Sequence, residues 1–282
     1  MRGLWLLMLV LLAGCQHRGV PAPVGGEIRD LHNGAVLSAQ QLVTRLASPE
    51  RVIIGEQHDN ADHHAAQLWL LQALGEQRKQ GSLLLEMLTP DQQPKVAAAR
   101  QTLGSADLAK ALGWQDGWDW TLYGPIVRFA LSQPYPLLAA NLDNDEVRAV
   151  YRQPPLQSGV RSHAASVQNT LLQQISDSHC GLLPESQMPA MLAVQQQRDQ
   201  RMAERLLAAP TPAILLAGAW HARKDVGVPL HVLDAGAAAS PTVLLLAEQG
   251  DEVTAAMADY VWYTPAMPKT DYCEQMRKQF GK

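Results

Sequence analysis

Five short apolar runs constrain the fold of this chain more than any other feature of its sequence. They lie at 51–55, 82–86, 136–141, 213–217 and 242–246. Continuous apolar runs are typical of strands that are buried on both faces of a sheet. Stretches with helical periodicity separate the runs, so the sequence predicts an α/β fold, a mainly parallel sheet flanked by helices. A further run at 259–264 predicts a last strand at the edge of that sheet.

Capping and breaking residues bound the predicted helices. Ser38 predicts the N-cap of a helix that runs to Leu46, and Asp143 predicts the cap of another that runs to Tyr151. Periodicity predicts further helices at 61–80, 91–103, 105–112 and from Pro125 to about 131. The stretch 160–208 is mostly helical in pattern, which predicts a helical lobe packed on the sheet.

The amino-terminal segment is typical of an exported lipoprotein. Arg2 precedes an apolar run at 4–12, which is shorter than the about 20 residues that a bilayer-spanning helix needs. Ala13-Gly14 follows and leads directly to Cys15, and small residues at the end of such a run are what signal peptidases recognise. We therefore expect a signal peptide at 1–14 and anchoring through lipid attached at Cys15. Gln16 favours the outer membrane, with the protein facing the periplasm.

Proline and glycine shape the segment that follows. Pro21, Pro23 and the pair Gly25-Gly26 prevent a helix, so residues 15–34 are predicted to form a tether and 35–282 a single domain. Once Cys15 is acylated, Cys180 and Cys273 remain. An even pair in an exported protein predicts a disulfide, although two buried free thiols fit the same count.

Charge and absent motifs exclude several function classes. The net charge is −4 and no long basic run occurs, which argues against nucleic-acid binding by bulk electrostatics. The sequence has no G-x-S-x-G elbow, glycine-rich phosphate loop or H-E-x-x-H motif. It also lacks the Cys-x-x-Cys-His attachment motif, so any haem would be bound non-covalently.

The densest polar cluster lies just beyond the first long apolar run. It contains Glu56, His58, His63 and His64 within nine residues. Three other run ends add polar groups, which are Glu86, Asn141 and His221 with the neighbouring Arg223. Ligands of open α/β sheets bind at the carboxyl ends of the strands, so we expect these groups to converge on one site. Arg223 would neutralise an anionic ligand there.

An aromatic segment from Trp114 to Tyr123 is the second notable feature. Its tryptophans are typical of a packed lid or a seam between subdomains. A tyrosine phenolate is a known axial ligand of ferric haem, and Tyr123 is our candidate among the six tyrosines of the chain.

Several motifs, in order, resemble the ChaN family of iron-regulated, haem-binding lipoproteins. The resemblance covers about residues 29–275 and rests on these segments: Val52-Ile-Ile-Gly-Glu-Gln-His-Asp-Asn60 with His63-His64, Leu85-Glu-Met87, Trp118-Asp-Trp120 with Tyr123-Gly-Pro125, Ala140-Asn141, His179 to Glu185, Gln197-Arg-Asp199, and Ala217-Gly218 with His221 to Lys224.

The resemblance implies an α/β core with a helical lobe and non-covalent haem binding. It implies a pair of haems held between two subunits, a tyrosine ligand on the iron and a histidine of the partner at a propionate. Glu56, His58, His63, His64, Glu86, Tyr123, Asn141, His221 and Arg223 are the predicted haem-binding residues. The implied role is haem and iron acquisition.

Two other functions fit the same residues. The ChaN family belongs to a superfamily with the Tiki proteases and erythromycin esterase-like enzymes, which share its Gly-Glu-x-His opening. A divalent-metal-dependent hydrolase would use Glu56, His58, Glu86 and His221. A lipoprotein scaffold that docks on a haem-uptake receptor or transporter is the third hypothesis.

Overall fold

One eight-stranded sheet forms the centre of the molecule, and each of the five apolar runs contributes a strand to it. The computed structural model describes residues 22–102, 107–155, 159–268 and 271–280. The predicted signal peptide and the acylation site at Cys15 lie outside these residues. The strands are β1 (Glu27–Asp30), β2 (Val36–Leu37), β3 (Arg51–Glu56), β4 (Ser82–Leu85), β5 (Leu137–Ala139), β6 (Ala213–Gly218), β7 (Thr242–Glu248) and β8 (Tyr260–Thr264).

The strand order is β2-β1-β8-β7-β3-β6-β4-β5. The strands from β8 to β5 are parallel, and β1 and β2 add an antiparallel hairpin at one edge. The predicted α/β class with a mainly parallel sheet is confirmed.

The hairpin corrects two predictions. The predicted tether at 15–34 contains β1, whose Ile28 and Asp30 are buried and which pairs with β8 along its whole length. As a consequence β8 lies inside the sheet and is not the edge strand that we expected. A strand of four residues in which Ile28 is the one apolar side chain carries too little apolar signal to be recognised in the sequence.

Helices cover both faces of the sheet. They are α1 (Ala39–Ala47), α2 (Ala61–Gln77), α3 (Gln93–Ala99), α4 (Leu108–Leu112), α5 (Trp120–Ser132), α6 (Asn144–Arg152), α7 (Ala165–Ser178), α8 (Met188–Ala208), α9 (Ala219–Ala222), α10 (Val228–Asp234) and α11 (Tyr272–Phe280). The predicted caps Ser38 and Asp143 both form capping boxes, in which the side chain at the third helical position returns a hydrogen bond to the cap.

The strands are apolar throughout because each face of the sheet packs against a helical layer. Ile54 belongs to the core formed with α1, α2 and α5, while its neighbour Ile53 belongs to the core formed with α8 and α10. Successive side chains of a strand point to opposite faces, so one run supplies both cores.

The helical lobe is present as α7 and α8, which pack together through Leu171, Ile175 and Leu192. The predicted disulfide between Cys180 and Cys273 is also present and links the turn after α7 to α11. In the part of the chain that the structure describes, none of the helices combines the length and apolar character needed to cross a membrane.

Candidate functional site

Polar side chains from three neighbouring strands meet at the carboxyl edge of the sheet. Glu56 ends β3, Glu86 follows β4 directly, and His221 lies in α9 immediately after β6. Since β6 lies between β3 and β4, the three side chains share one place on the edge. The N–H of Gly218, at the end of β6, donates to Glu86 Oε2 at 2.7 Å. The structure thus brings together Glu56, Glu86 and His221, which the sequence places at the ends of three apolar runs.

The first of two acid–base groups is built on Glu56. Its Oε1 accepts a hydrogen bond from the Tyr123 hydroxyl at 2.9 Å and lies 2.7 Å from His58 Nδ1. The His58 side chain is 43% exposed, so solvent and ligands reach the imidazole, whereas Glu56 is buried. Burial alone would lower the pKa of His58, but the hydrogen bond and charge of Glu56 raise it to about 9. His58 is therefore an imidazolium near neutral pH.

Tyr123 does not fit its predicted role as the haem-iron ligand. The residue is 1% exposed and belongs to the core beneath the aromatic segment. Burial and the negative charge of Glu56 raise the pKa of the phenol, so it stays neutral. Iron ligation requires an accessible phenolate. Tyr123 instead holds Glu56, and its hydroxyl also lies 3.1 Å from His58 Nδ1.

The second group is a buried relay through His221. Its Nδ1 lies 2.6 Å from Asp199 Oδ1 in α8, and its Nε2 lies 3.4 Å from Glu86 Oε1. Burial would lower the pKa of His221, but the two carboxylates raise it. Burial raises the pKa of Asp199 to about 6, although His221 opposes this shift. A short buried hydrogen bond therefore links Asp199 to His221.

The carboxylate of Glu86 interacts electrostatically with both His58 and His221. Burial would raise the pKa of this carboxyl, but the positive charges of His221 and His58 lower it. Gly218 allows the close approach, because a Cβ there would lie 2.8 Å from His58 Nε2 and 3.6 Å from Glu86 Oε2. Strongly perturbed groups that gather at an accessible strand edge are typical of functional sites.

Two of the predicted histidines, His63 and His64, are buried and hydrogen-bond to the loop after β3. His63 is fully buried, accepts the N–H of Gln57 at its Nδ1 (3.0 Å), and places its Nε2 3.1 Å from the Thr264 hydroxyl. Burial lowers the pKa of His63 to about 4. His64 donates from Nε2 to the His58 carbonyl at 3.0 Å. Both residues fix the loop that carries His58.

Asn141 and Arg223 also make internal contacts. The Asn141 Oδ1 accepts the N–H of Leu142 at 2.8 Å. The Arg223 guanidinium donates twice to Asp225, at 2.9 and 2.6 Å, and stacks on Trp220. Its charge is already balanced, so the predicted role of Arg223 in neutralising an anionic ligand loses its support.

An aromatic cleft of about 830 Å³ opens beside His58. Its lining includes Trp114, Trp118, Trp120 and Lys110. The indole of Trp118 meets the His58 ring edge to face, with 4.8 Å between the ring centroids. The tryptophans that we expected to form a packed seam thus also border the site.

Tyr272 lies at the other end of the loop after β3. Its hydroxyl donates to Asp59 Oδ2 at 2.6 Å, and the residue is 56% exposed. Sequence reasoning did not single out either Tyr272 or Asp199. The available signals were the position of Tyr272 beside the disulfide cysteine Cys273 and the Gln197-Arg-Asp199 motif.

The donor set does not favour a divalent metal. Among the residues that the structure describes, no three His, Cys, Asp or Glu side chains are arranged to hold a metal ion. The metal site that we predicted on Glu56, His58, Glu86 and His221 therefore lacks support.

Comparisons with known proteins match this chain to a family model and to a similar solved structure. The family model described as "Haem-binding uptake, Tiki superfamily, ChaN" matches residues 42–232. The structure of ChaN of Campylobacter jejuni, described as binding haem cofacially, is 28% identical with a TM-score of 0.79, and the match covers 86% of this chain and 97% of that one. No curated protein matches the chain.

Two further solved structures are distant. A mutant of the erythromycin esterase EreC in its open conformation is 15% identical with a TM-score of 0.45, over 85% of this chain and 82% of that one. The toxin effector domain RRSP from Vibrio vulnificus is 13% identical with a TM-score of 0.42, over 81% of this chain and 40% of that one. Likenesses at this level support no argument about function.

His58 should titrate near pH 9 in the native protein, because Glu56 stabilises the imidazolium. An unfolded imidazole titrates at about 6.5, so the stabilisation from this pair should be fully present below about pH 6.5 and should be lost as the pH rises through 9. Ring chemical shifts in NMR measure the pKa directly. The Glu56→Gln variant is the matched control and should lower the pKa of His58. A native His58 that titrates near 6.5 would contradict the assignment.

Proposed function

The chain belongs to the ChaN family of haem-binding uptake proteins in the Tiki superfamily, and on that premise we propose that it binds haem non-covalently in haem and iron acquisition. We place the haem between two subunits, as the cofacial haems described for Campylobacter jejuni ChaN suggest. One observation carries the location of the site: an aromatic cleft and an exposed tyrosine border the same loop, through His58 and Asp59.

The chemistry of these residues fits haem, which offers apolar faces, two carboxylates and an iron that takes axial ligands. The indoles of Trp114, Trp118 and Trp120 supply apolar walls. The imidazolium of His58 supplies positive charge for the carboxylates. Glu56 keeps His58 charged and fixes its ring.

Tyr272 is the iron ligand that we propose in place of Tyr123. Tyr123 and Tyr135 are buried, while Tyr260 and Tyr263 lie half-buried in β8. The two exposed tyrosines are Tyr151, at the far end of α6 from the sheet edge, and Tyr272, at the site loop. The Asp59 carboxylate already accepts the phenol hydrogen bond and is placed to take the proton when the phenolate forms.

A haemin titration of the domain from residue 22 onward tests this function. We expect saturable binding, a ferric spectrum with a tyrosinate charge-transfer band, and a shift to dimer in size-exclusion chromatography. Tyr272→Phe should weaken binding about tenfold or more and remove the band, because the phenyl ring cannot ligate iron.

Two other tyrosines provide controls. Tyr151→Phe alters the second exposed tyrosine and should leave spectrum and affinity unchanged. Tyr123→Phe removes the hydrogen bond to Glu56 and should lower the stability by about 1 kcal/mol or more while the band persists. A band that survives in Tyr272→Phe and disappears in Tyr123→Phe would restore the first assignment. Absence of saturable wild-type binding at low micromolar haemin would overturn the haem function.

We infer hydrolysis without a metal as a second candidate function. The supporting observation is the relay of Asp199, His221 and Glu86, which is almost completely buried. Such a relay fixes the charge of the groups around it and is typical of sites that move protons. The accessible His58 imidazolium, held by Glu56, would protonate the leaving oxygen or nitrogen of an ester or amide as its bond to the carbonyl carbon breaks. Solvent water would add to that carbon and release its proton to bulk solvent.

A panel of activated esters and peptides, with and without added zinc or manganese, tests that candidate. If it holds, the wild type turns over at least one ester without metal, and His58→Ala lowers the rate about a hundredfold or more. His179→Ala is the matched control, since His179 lies in the helical lobe beside Cys180. Absence of wild-type turnover under every condition would exclude hydrolysis of these substrates.

We also propose that lipid at Cys15 anchors the protein to the outer membrane, facing the periplasm. The support is the Leu12-Ala-Gly-Cys15 sequence after a short apolar run. Full-length protein should incorporate labelled fatty acid and sediment with outer membranes, and Cys15→Ala should do neither because it lacks the acylated thiol. Unchanged labelling of Cys15→Ala would contradict the anchor.

A haem-uptake receptor or transporter remains our proposed partner, and cross-linking in membranes tests this interaction.

A further inference from the structure

We propose that the Cys180–Cys273 disulfide is a positioning device for Tyr272, which holds the tyrosine hydroxyl at Asp59 beside the site. The inference rests on the proposed haem function, in which Tyr272 ligates the iron. The geometry behind it is a short series of contacts. The disulfide ends at Cys273, the preceding residue is Tyr272, and the Tyr272 hydroxyl donates to Asp59 at 2.6 Å.

The helix that carries Tyr272 has little packing of its own. Among the α11 side chains that the structure describes, Cys273 and Met276 are half-buried, and the others are exposed. An isolated helix of nine residues is marginal in water. The helix therefore depends on attachments in its first turn, where the disulfide and the Asp59 hydrogen bond both lie.

The chain before α11 does not fix Tyr272 by itself. Tyr272 follows Thr264, the last residue of β8, by eight residues. A chain of that length spans up to about 27 Å when it is extended. That length allows many positions for Tyr272, and a covalent attachment one residue away excludes most of them.

The other end of the bridge is a firm anchor. Cys180 lies two residues after the end of α7 in a left-handed backbone conformation with φ 57°, and its N–H donates to the Asp177 carbonyl at 3.0 Å. The N–H of Gly181 donates to the Ser176 carbonyl at 2.8 Å. The turn is thus closed onto the last turn of α7, which packs on α8 and through it on the sheet. The disulfide transfers the rigidity of the helical lobe to Tyr272.

The double variant Cys180→Ala/Cys273→Ala tests the inference in two ways. Without haem, hydrogen–deuterium exchange should increase about tenfold or more at 271–280 and should also increase at 57–60. With haem, affinity should fall about tenfold and the tyrosinate band should weaken. Met276→Ala is the matched control: it removes packing from the same helix, leaves the bridge intact, and should keep the band.

The outcomes separate this inference from the proposed function. A wild type that binds no haemin overturns the haem function, while the exchange experiment still tests the positioning of α11. Wild-type-like exchange at 271–280 in the double variant overturns the inference. So does a variant that loses thermal stability but keeps the haem affinity and the band, because the bridge would then serve stability alone.

Discussion

The carboxyl edge of this sheet depends on the neutralisation of buried carboxylates. Glu56, Glu86 and Asp199 are almost completely removed from water, and an unpaired buried carboxylate would cost several kcal/mol. Two histidines balance them, His58 for Glu56 and His221 for the other two. The strand order makes this possible, because β6 lies between the strands that carry the two glutamates and ends in a glycine.

The charge balance links parts of the chain that are distant in sequence. Asp199 comes from the helical lobe, Tyr123 from the aromatic segment and His221 from the turn after β6. Haem binding at the surface would need exposed groups such as His58. The buried residues affect His58 by raising its pKa and by holding its ring in place. Glu86, for example, contributes to the raised pKa of His58 without being exposed. Both candidate functions therefore use the same buried arrangement.

The sequence allowed the central strands and the meeting of Glu56, Glu86 and His221 to be predicted, because parallel strands bring their carboxyl ends to one edge. It did not identify β1, which is short and has Ile28 as its one apolar residue. The Tyr-Gly-Pro pattern likewise does not reveal that α5 turns the phenol of Tyr123 inward onto Glu56. Tyr272 and Asp59 are 213 positions apart, and that contact follows from a disulfide and a turn rather than from any local pattern.

The antiparallel hairpin also determines where the chain enters the domain. Since β1 runs opposite to β8, its first residue Glu27 pairs with Tyr263, close to the carboxyl end of β8. The segment before β1 consequently leaves from the edge of the sheet that carries His58 and Tyr272. The twelve residues from Cys15 to Glu27 reach at most about 40 Å. A lipid anchor at Cys15 would therefore hold this edge of the sheet within about 40 Å of the bilayer, so that ligand would be exchanged near the lipid headgroups.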